Sequence, residues 1–344
     1  MNNFFDLTLR ELEATIENLG LKPYRARQIF KWVYQQGVVD FEEMTNLPKG
    51  LRITLRNLFR LSLPVVAEKV RSEDGTMKFG FMTEDDKIIE SVLIPEQNRN
   101  TLCVSSQIGC KMACRFCVTG KIGFVRNLSP GEIVGQVMAV KLMRRDTRIS
   151  NIVFMGMGEP LDNLDPVLKA LEILQDQMGL DFSHRHITLS TVGLLDPLKL
   201  IPGRAQIAIS LNAATNEKRS FLMPINRIFP VEQLIGFVRE LKEPRRERVT
   251  FEYILIKDFN DSLEDAEALA GLLKNIRCKI NLISYNESPY TEFLSPDRER
   301  VDRFHAFLLD RHFTAIIRDS RGQDVLGGCG QLGAGYLKAR EGGA

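Results

Sequence analysis

Three cysteines fall within eight residues, in the run Cys110-Lys-Met-Ala-Cys114-Arg-Phe-Cys117. Cys103 lies just upstream, Cys278 stands alone, and Cys329 sits in a glycine-rich stretch near the end of the 344-residue chain. Six cysteines are too sparse for a disulfide scaffold of this size, so they read as reduced thiols or metal ligands. Three thiolates on one loop can hold three corners of a cubic iron–sulfur cluster and leave one iron without a protein ligand. Zinc would recruit a fourth ligand, for which Cys103, Cys278 or Cys329 is available. Inert buried thiols are the third possibility.

Such a loop needs elements to position it. After Pro130 the pattern alternates: helix 132–144 leads to strand 151–155, helix 166–177 to strand 186–191, and a short helix near 194–200 to strand 206–211. It continues with 231–241 before 249–255, 263–274 before 279–284, and 297–310 before 313–317. This alternation implies βαβ units and a parallel sheet. With 102–105 as the first strand there are six parallel strands and an extra one at the end, which suits an open, partial barrel or a doubly wound sheet. Polar residues favour the barrel: Ser105, 156–159, Ser190, 210–212 and 285–286 fall at or beyond strand ends, the rim where barrels build active sites.

Ahead of this unit, residues 8–63 read as two or three short helices punctuated by Pro23 and Pro48. Thr8 is the expected N-cap, with Glu11 at the capping-box spacing. Runs at 65–70, 77–82 and 88–94, separated by Asp74-Gly75 and Asp85-Asp86, read as hairpins.

The composition, 44% hydrophobic and 26% charged, excludes a disordered or collagen-like chain. No apolar run approaches the roughly 20 residues of a membrane span, and residues 1–9 lack the basic start of a signal peptide, so a soluble, cytoplasmic protein is expected. The net charge of +2 is uninformative, but its distribution is not. Between 97 and 145 the only acid is Glu132, against eight bases. In 22–34, Lys22, Arg25, Arg27 and Lys31 interleave with Tyr24, Phe30, Trp32 and Tyr34. Such cations could hold a polyanion while the aromatics stack on bases, although solvated helix faces and core aromatics produce the same pattern.

The cysteine spacing, with an aromatic before the third cysteine, is the signature of radical S-adenosylmethionine (SAM) enzymes. Further segments agree: IIESVLIPE containing Glu90, TLCVSSQIGC, FMGMGEP, ITLSTVG, SLNAAT, MPINR, NLISYN and GGCGQLGAG. Together they resemble the RlmN/Cfr family of radical SAM RNA adenine methyltransferases, in the family's order over about residues 7–335. The resemblance implies an α/β fold: a partial (β/α)6, TIM-like radical SAM barrel at 101–320. To it are added a small helical RNA-binding adaptor domain at 1–63, a β-hairpin extension at 64–100, and a glycine-rich tail at 321–344 carrying the methyl-carrier cysteine.

On this resemblance Cys110, Cys114 and Cys117 ligate a 4Fe–4S cluster whose open iron binds SAM. Gly158, Glu159, Ser190, Ser210, Leu211, Asn212 and Asn286 match SAM-binding positions, although many members have His where Asn212 stands. Cys329 matches the methyl carrier, Cys103 the second catalytic cysteine, and Glu90 a carboxylate assigned to proton transfer; Cys278 reads as core. The glycines around Cys329 predict a flexible tail.

The implied reaction uses two SAM molecules per turnover. The first methylates Cys329; the second yields a 5'-deoxyadenosyl radical that activates the methyl group for addition to adenine C2. Cys103 then attacks the Cys329 sulfur, resolving a protein–RNA crosslink and leaving a transient disulfide. Implied partners are 23S rRNA, tRNA at the adenosine 3' of the anticodon, and an electron donor such as flavodoxin or ferredoxin, with the enzyme a monomer. The competing readings are a Cfr-type enzyme methylating C8, which confers antibiotic resistance, and a zinc-stabilised RNA-binding module without catalysis.

Overall fold

The computed structural model describes residues 1–241 and 247–341. Its main feature is one ten-stranded sheet. The antiparallel portion is a meander of Val65–Arg71, Met77–Met82, Ile88–Glu96 and Arg99–Cys103. Arg99–Cys103 then pairs in parallel with Asn151–Phe154, and Ile187–Thr191, Gln206–Ser210, Val249–Leu255, Cys278–Ser284 and Ala315–Ile317 follow in chain order. A doubly wound sheet reverses its strand order at a switch point. None occurs among these parallel strands, so the unit is a partial (β/α)6 barrel with a short seventh strand.

The strand interiors explain why the barrel forms. Alternate side chains such as Leu189, Ile207, Phe251 and Leu282 are fully buried beneath the outer helices. Each such burial contributes about 1.5–3 kcal/mol. The outer layer includes Pro130–Met143, Leu164–Gln175, Val231–Glu240, Leu263–Leu272 and Arg298–Asp310. The helix expected at 166–177 starts earlier, because a 3-10 turn at Pro160–Asn163 runs straight into it.

The strands expected as hairpins do pair, and the second turn holds Asp86 at φ +56°. They are also bonded into the barrel's own sheet, with Val92 opposite Cys103. At the N-terminus, Leu9–Asn18 carries the capping box formed by Thr8 and Glu11. Phe30 and Tyr34 are fully buried against Phe4 and Phe5, so of the two readings offered for these aromatics the core one holds for this pair and base stacking does not. Their helical spacing served core packing. Tyr24 remains exposed, with Arg25 lying over its ring. This region docks on the barrel where the Asp6 carboxylate accepts the Gly131 N–H at 2.7 Å. A Cβ at Gly131 would lie 2.8 Å from that oxygen, so a larger residue there would displace the Asp6 carboxylate.

Candidate active site

The cysteine loop is held in a ribbon that sequence periodicity is too short to reveal, Gln107–Gly109 paired with Phe124–Asn127. Gly109 has φ +71°, and a Cβ there would sit 1.7 Å from the Gly123 carbonyl oxygen. Within the loop the Cys117 N–H donates to the Cys114 carbonyl, and the Cys110 N–H to Gly123. All three cysteines are free thiols facing one cavity of about 810 Å³, counting its open mouth. Burial pushes the Cys110 thiol up to about 12 and raises Cys114 and Cys117; neighbouring cysteines add repulsion at each.

This donor set fits an iron–sulfur cluster. Thiols so buried lose their protons only to a compensating cation, and a cubane spreads its ligands over separate corners. Among the described residues no three His, Cys, Asp or Glu side chains gather closely enough to share a single ion.

The loop 156–160 forms another wall. Gly156 touches the Val104 backbone, where a Cβ would lie 2.6 Å from the carbonyl oxygen. Gly158, at φ +99°, packs on Gln107, whose side-chain oxygen accepts the Glu159 N–H at 2.8 Å. The Glu159 carboxylate is buried and accepts the N–H groups of Leu161 and Val192 at 3.1 and 2.9 Å. Burial pushes its pKa up to about 7, against those hydrogen bonds. Ser190 and Ser210 face the same cavity with their hydroxyls 3.5 Å apart.

The other expected SAM contacts are placed differently. Asn212 lines the cavity at φ +58°, a conformation Asn tolerates better than most residues. Its side-chain oxygen is already occupied by the Ile254 N–H at 3.0 Å. The Leu211 side chain belongs to the main core. Asn286 donates to the Cys329 carbonyl at 2.9 Å and accepts from Gln323 at 2.7 Å. Arg219, not singled out from the sequence, is fully buried and donates to the carbonyls of Leu211, Val192 and Ser210 and to Asn226. It ties two of the strand-end loops together, a role that only three-dimensional proximity reveals.

The glycine-rich tail makes specific contacts with the rest of the molecule. Gly330 accepts the Val118 N–H at 2.8 Å, and the Leu332 carbonyl accepts the Thr119 hydroxyl at 2.6 Å. Glu90, 1% exposed, accepts from Gly333 at 2.7 Å and Gly335 at 3.2 Å, at the start of the helix Ala334–Glu341. The buried Lys78 ammonium lies 3.5 Å from the same carboxylate. Glu90 therefore faces the tail and lines neither of the two central cavities.

Cys329 lines both the cysteine-lined cavity and a second, larger cavity in the barrel lumen, which it shares with Cys103. Burial pushes the Cys103 thiol up to about 12, and the nearby Cys329 sulfur adds to the rise. The Arg318 guanidinium faces these sulfurs; Cys329 contributes most to raising its pKa, with Glu252 and Cys103 adding to it. Cys278 is buried in the core, away from both cavities.

A partial barrel with a three-cysteine loop after its first strand and a glycine-rich acidic loop after the second defines the radical SAM class. A model of the Radical SAM superfamily matches residues 104–272, and one described as the ribosomal RNA large subunit methyltransferase N-terminal domain matches residues 2–61. The chain is 50% identical to the dual-specificity RNA methyltransferase RlmN of Geobacter sulfurreducens, over 95% of this chain and 90% of that one. The namesake protein of Pelobacter propionicus is 48% identical over 98% and 97%. A crystal structure of a radical SAM methyltransferase from Sphaerobacter thermophilus superposes with a TM-score of 0.91 at 43% identity, over 96% of this chain and 99% of that one. This chain belongs to the RlmN family.

Proposed function

We propose that this protein is a dual-specificity RNA methyltransferase, placing a methyl group on C2 of an adenosine in 23S rRNA and of the adenosine 3' of the anticodon in tRNA. The position of Cys329 carries this reading: its side chain borders the cysteine-lined cavity on one side and the Cys103 cavity on the other. A methyl carrier needs access to both a donor and an acceptor.

Cys110, Cys114 and Cys117 would hold the 4Fe–4S cluster, and Gly158, Glu159, Ser190, Ser210, Leu211 and Asn212 would surround SAM. When bound there, the two groups would supply the methyl group and the one-electron chemistry that activates it. Glu159 is the acceptor for an ammonium group, since its carboxylate is held by two backbone N–H groups. Leu211 contributes through backbone only, because its side chain is core. Asn286 contributes by fixing the Cys329 carbonyl. Cys329 accepts the methyl group at sulfur, and Cys103 releases the product by forming a disulfide with it. A cellular reductant reopens that bond. Glu90 can take a proton from the base once the tail lifts from its two amide contacts. A low-potential flavodoxin or ferredoxin supplies the electron to a monomeric, cytoplasmic enzyme. Among the described residues no helix is long and apolar enough to cross a membrane.

Anaerobic protein with about four irons per chain, yielding 2-methyladenosine in rRNA and tRNA on addition of SAM and reductant, is the expected result. An 8-methyladenosine product would reassign the protein to the Cfr-type chemistry.

A further inference from the structure

The cysteine loop has two faces. Cys110, Met112, Cys114, Phe116 and Cys117 line the cysteine-lined cavity, whereas Lys111, Ala113 and Arg115 between them are exposed and do not. The outward residues are thus chain neighbours of the three thiols. No acidic residue occurs from 110 to 127, where Lys111, Arg115, Lys121 and Arg126 all lie. Arg126 is held by Asp85 and Glu132, and Lys111 lies 3.1 Å from Asp162. Arg115 and Lys121 are exposed, and among the described residues neither has a carboxylate partner. At the loop's apex Ala113, at φ +50°, adds only a methyl group to this face.

The same face is apolar as well as cationic. The Arg115 guanidinium lies 4.1 Å from the centre of the Phe221 ring and the Lys111 ammonium 4.3 Å from that of Phe124; the two rings are 42% and 40% exposed. From Phe221 the aromatics continue to Phe259 at 5.3 Å, then Phe293 at 6.5 Å and Tyr285 at 5.9 Å. The Tyr285 hydroxyl donates to the Phe116 carbonyl at 3.4 Å, so this arc closes back on the cysteine loop. Exposed apolar side chains among cations mark a docking surface, and aromatics and Arg are the residues that interfaces favour. A protein suits it better than RNA. One face of each exposed ring is already taken by a cation of this chain, which hinders base stacking. The Cys329 sulfur that RNA must reach borders the cavity on the loop's inner side.

We infer that this outer face is the docking surface for the electron donor, an acidic one-electron carrier protein. Carboxylates of the carrier meet Arg115 and Lys121, and its apolar contacts fall on Phe221 and Phe124. The carrier's redox group comes to rest against the thin wall at Ala113, on the far side of the loop from SAM and RNA. The electron therefore enters without displacing either of them. One electron leaves the reduced carrier and enters the cluster, and no bond forms or breaks in that step. Redox encounters of this kind are small, transient and steered by charge. This rests on the cluster-binding role given above to Cys110, Cys114 and Cys117.

The test uses full-length, cluster-loaded protein, oxidised flavodoxin as the binding probe, and dithionite as a small reductant that needs no docking. The double variant Arg115→Gln/Lys121→Gln is expected to weaken flavodoxin binding about tenfold at low salt and to flatten its salt dependence. Iron content, affinity for a tRNA anticodon stem-loop and dithionite-driven SAM cleavage should stay as in wild type. Phe221→Ser should weaken flavodoxin binding by a similar factor while the salt dependence is retained. Wild-type flavodoxin affinity in both variants, or no flavodoxin binding by an iron-loaded wild type that cleaves SAM with dithionite, overturns the docking surface alone. Unaltered flavodoxin affinity beside weakened stem-loop binding also overturns it and gives the face to RNA. A wild type without iron that leaves SAM intact removes the cluster reading and this proposal with it.

Discussion

The two segments that carry the proposed working cysteines are built in opposite ways. The 110–117 loop is fixed by backbone: a short ribbon, turn hydrogen bonds, and glycines such as Gly109 and Gly120 whose neighbours leave no room for a Cβ. The tail around Cys329 is held mainly by side-chain hydrogen bonds, from Glu90, Thr119 and Asn286 elsewhere in the chain and from its own Gln331, beside one backbone bond from Val118 to Gly330. Backbone packing of the first kind cannot be released without unfolding the loop. Individual hydrogen bonds of the second kind contribute only about 1 kcal/mol each. A cluster must stay where it is, whereas a methyl carrier must approach SAM, RNA and Cys103 in turn. The architecture matches those two demands.

Removing a ligand from the rigid segment should have the largest effect. Cys114→Ser is expected to lose its iron and all methyl transfer, as iron analysis and nucleoside mass spectrometry would register. Retained iron and activity would remove the loop from the chemistry. Cys103→Ala should keep its cluster but arrest turnover as a covalent protein–RNA adduct, visible as a retarded band on a denaturing gel. No adduct in the presence of active cluster, SAM and reductant would take the resolving role from Cys103.

A smaller effect is expected from loosening the tail. Asn286→Ala should increase hydrogen exchange at residues 328–335 by roughly five- to tenfold, corresponding to about 1 kcal/mol, while exchange in the 110–117 loop stays as it was. Equal loosening of both segments would show that they are mechanically one. The smallest effect concerns titration. Because burial raises the Cys103 pKa to about 12, its thiolate is scarce at pH 8 and grows tenfold per pH unit toward that value. Alkylation of Cys103 in the reduced protein should therefore be slow at pH 8 and accelerate through pH 10; a pH-independent rate would contradict the burial.

Legibility in the sequence followed the range of the interactions involved. The cysteine spacing, the Thr8–Glu11 capping box and the alternation of strands and helices are local, and the structure realises them close to where the residues indicate. The contacts of the tail were not legible because its partners are remote: Gly333 meets Glu90 across 243 residues of chain. Glycines there read as slack, yet Gly328 is small because a Cβ would meet the Asn286 amide at 2.9 Å. Phe30 and Tyr34 in 22–34 could not be assigned for a related reason, since their periodicity is that of a buried face as much as of a stacking platform. The polar lumen had a trace in the alternation Gln206-Ile-Ala-Ile-Ser210, but strand pairing was needed to align Gln206 with Thr188 and Lys279 with Thr250.

The role of Cys329 between two cavities can be read from the cysteine peptides of cluster-loaded protein incubated with methyl-labelled SAM before RNA is added. One labelled methyl group on Cys329 and none on Cys103, transferred to adenosine when RNA and reductant follow, is the predicted result. Label on Cys103, or RNA methylated by a Cys329→Ala variant, would contradict it.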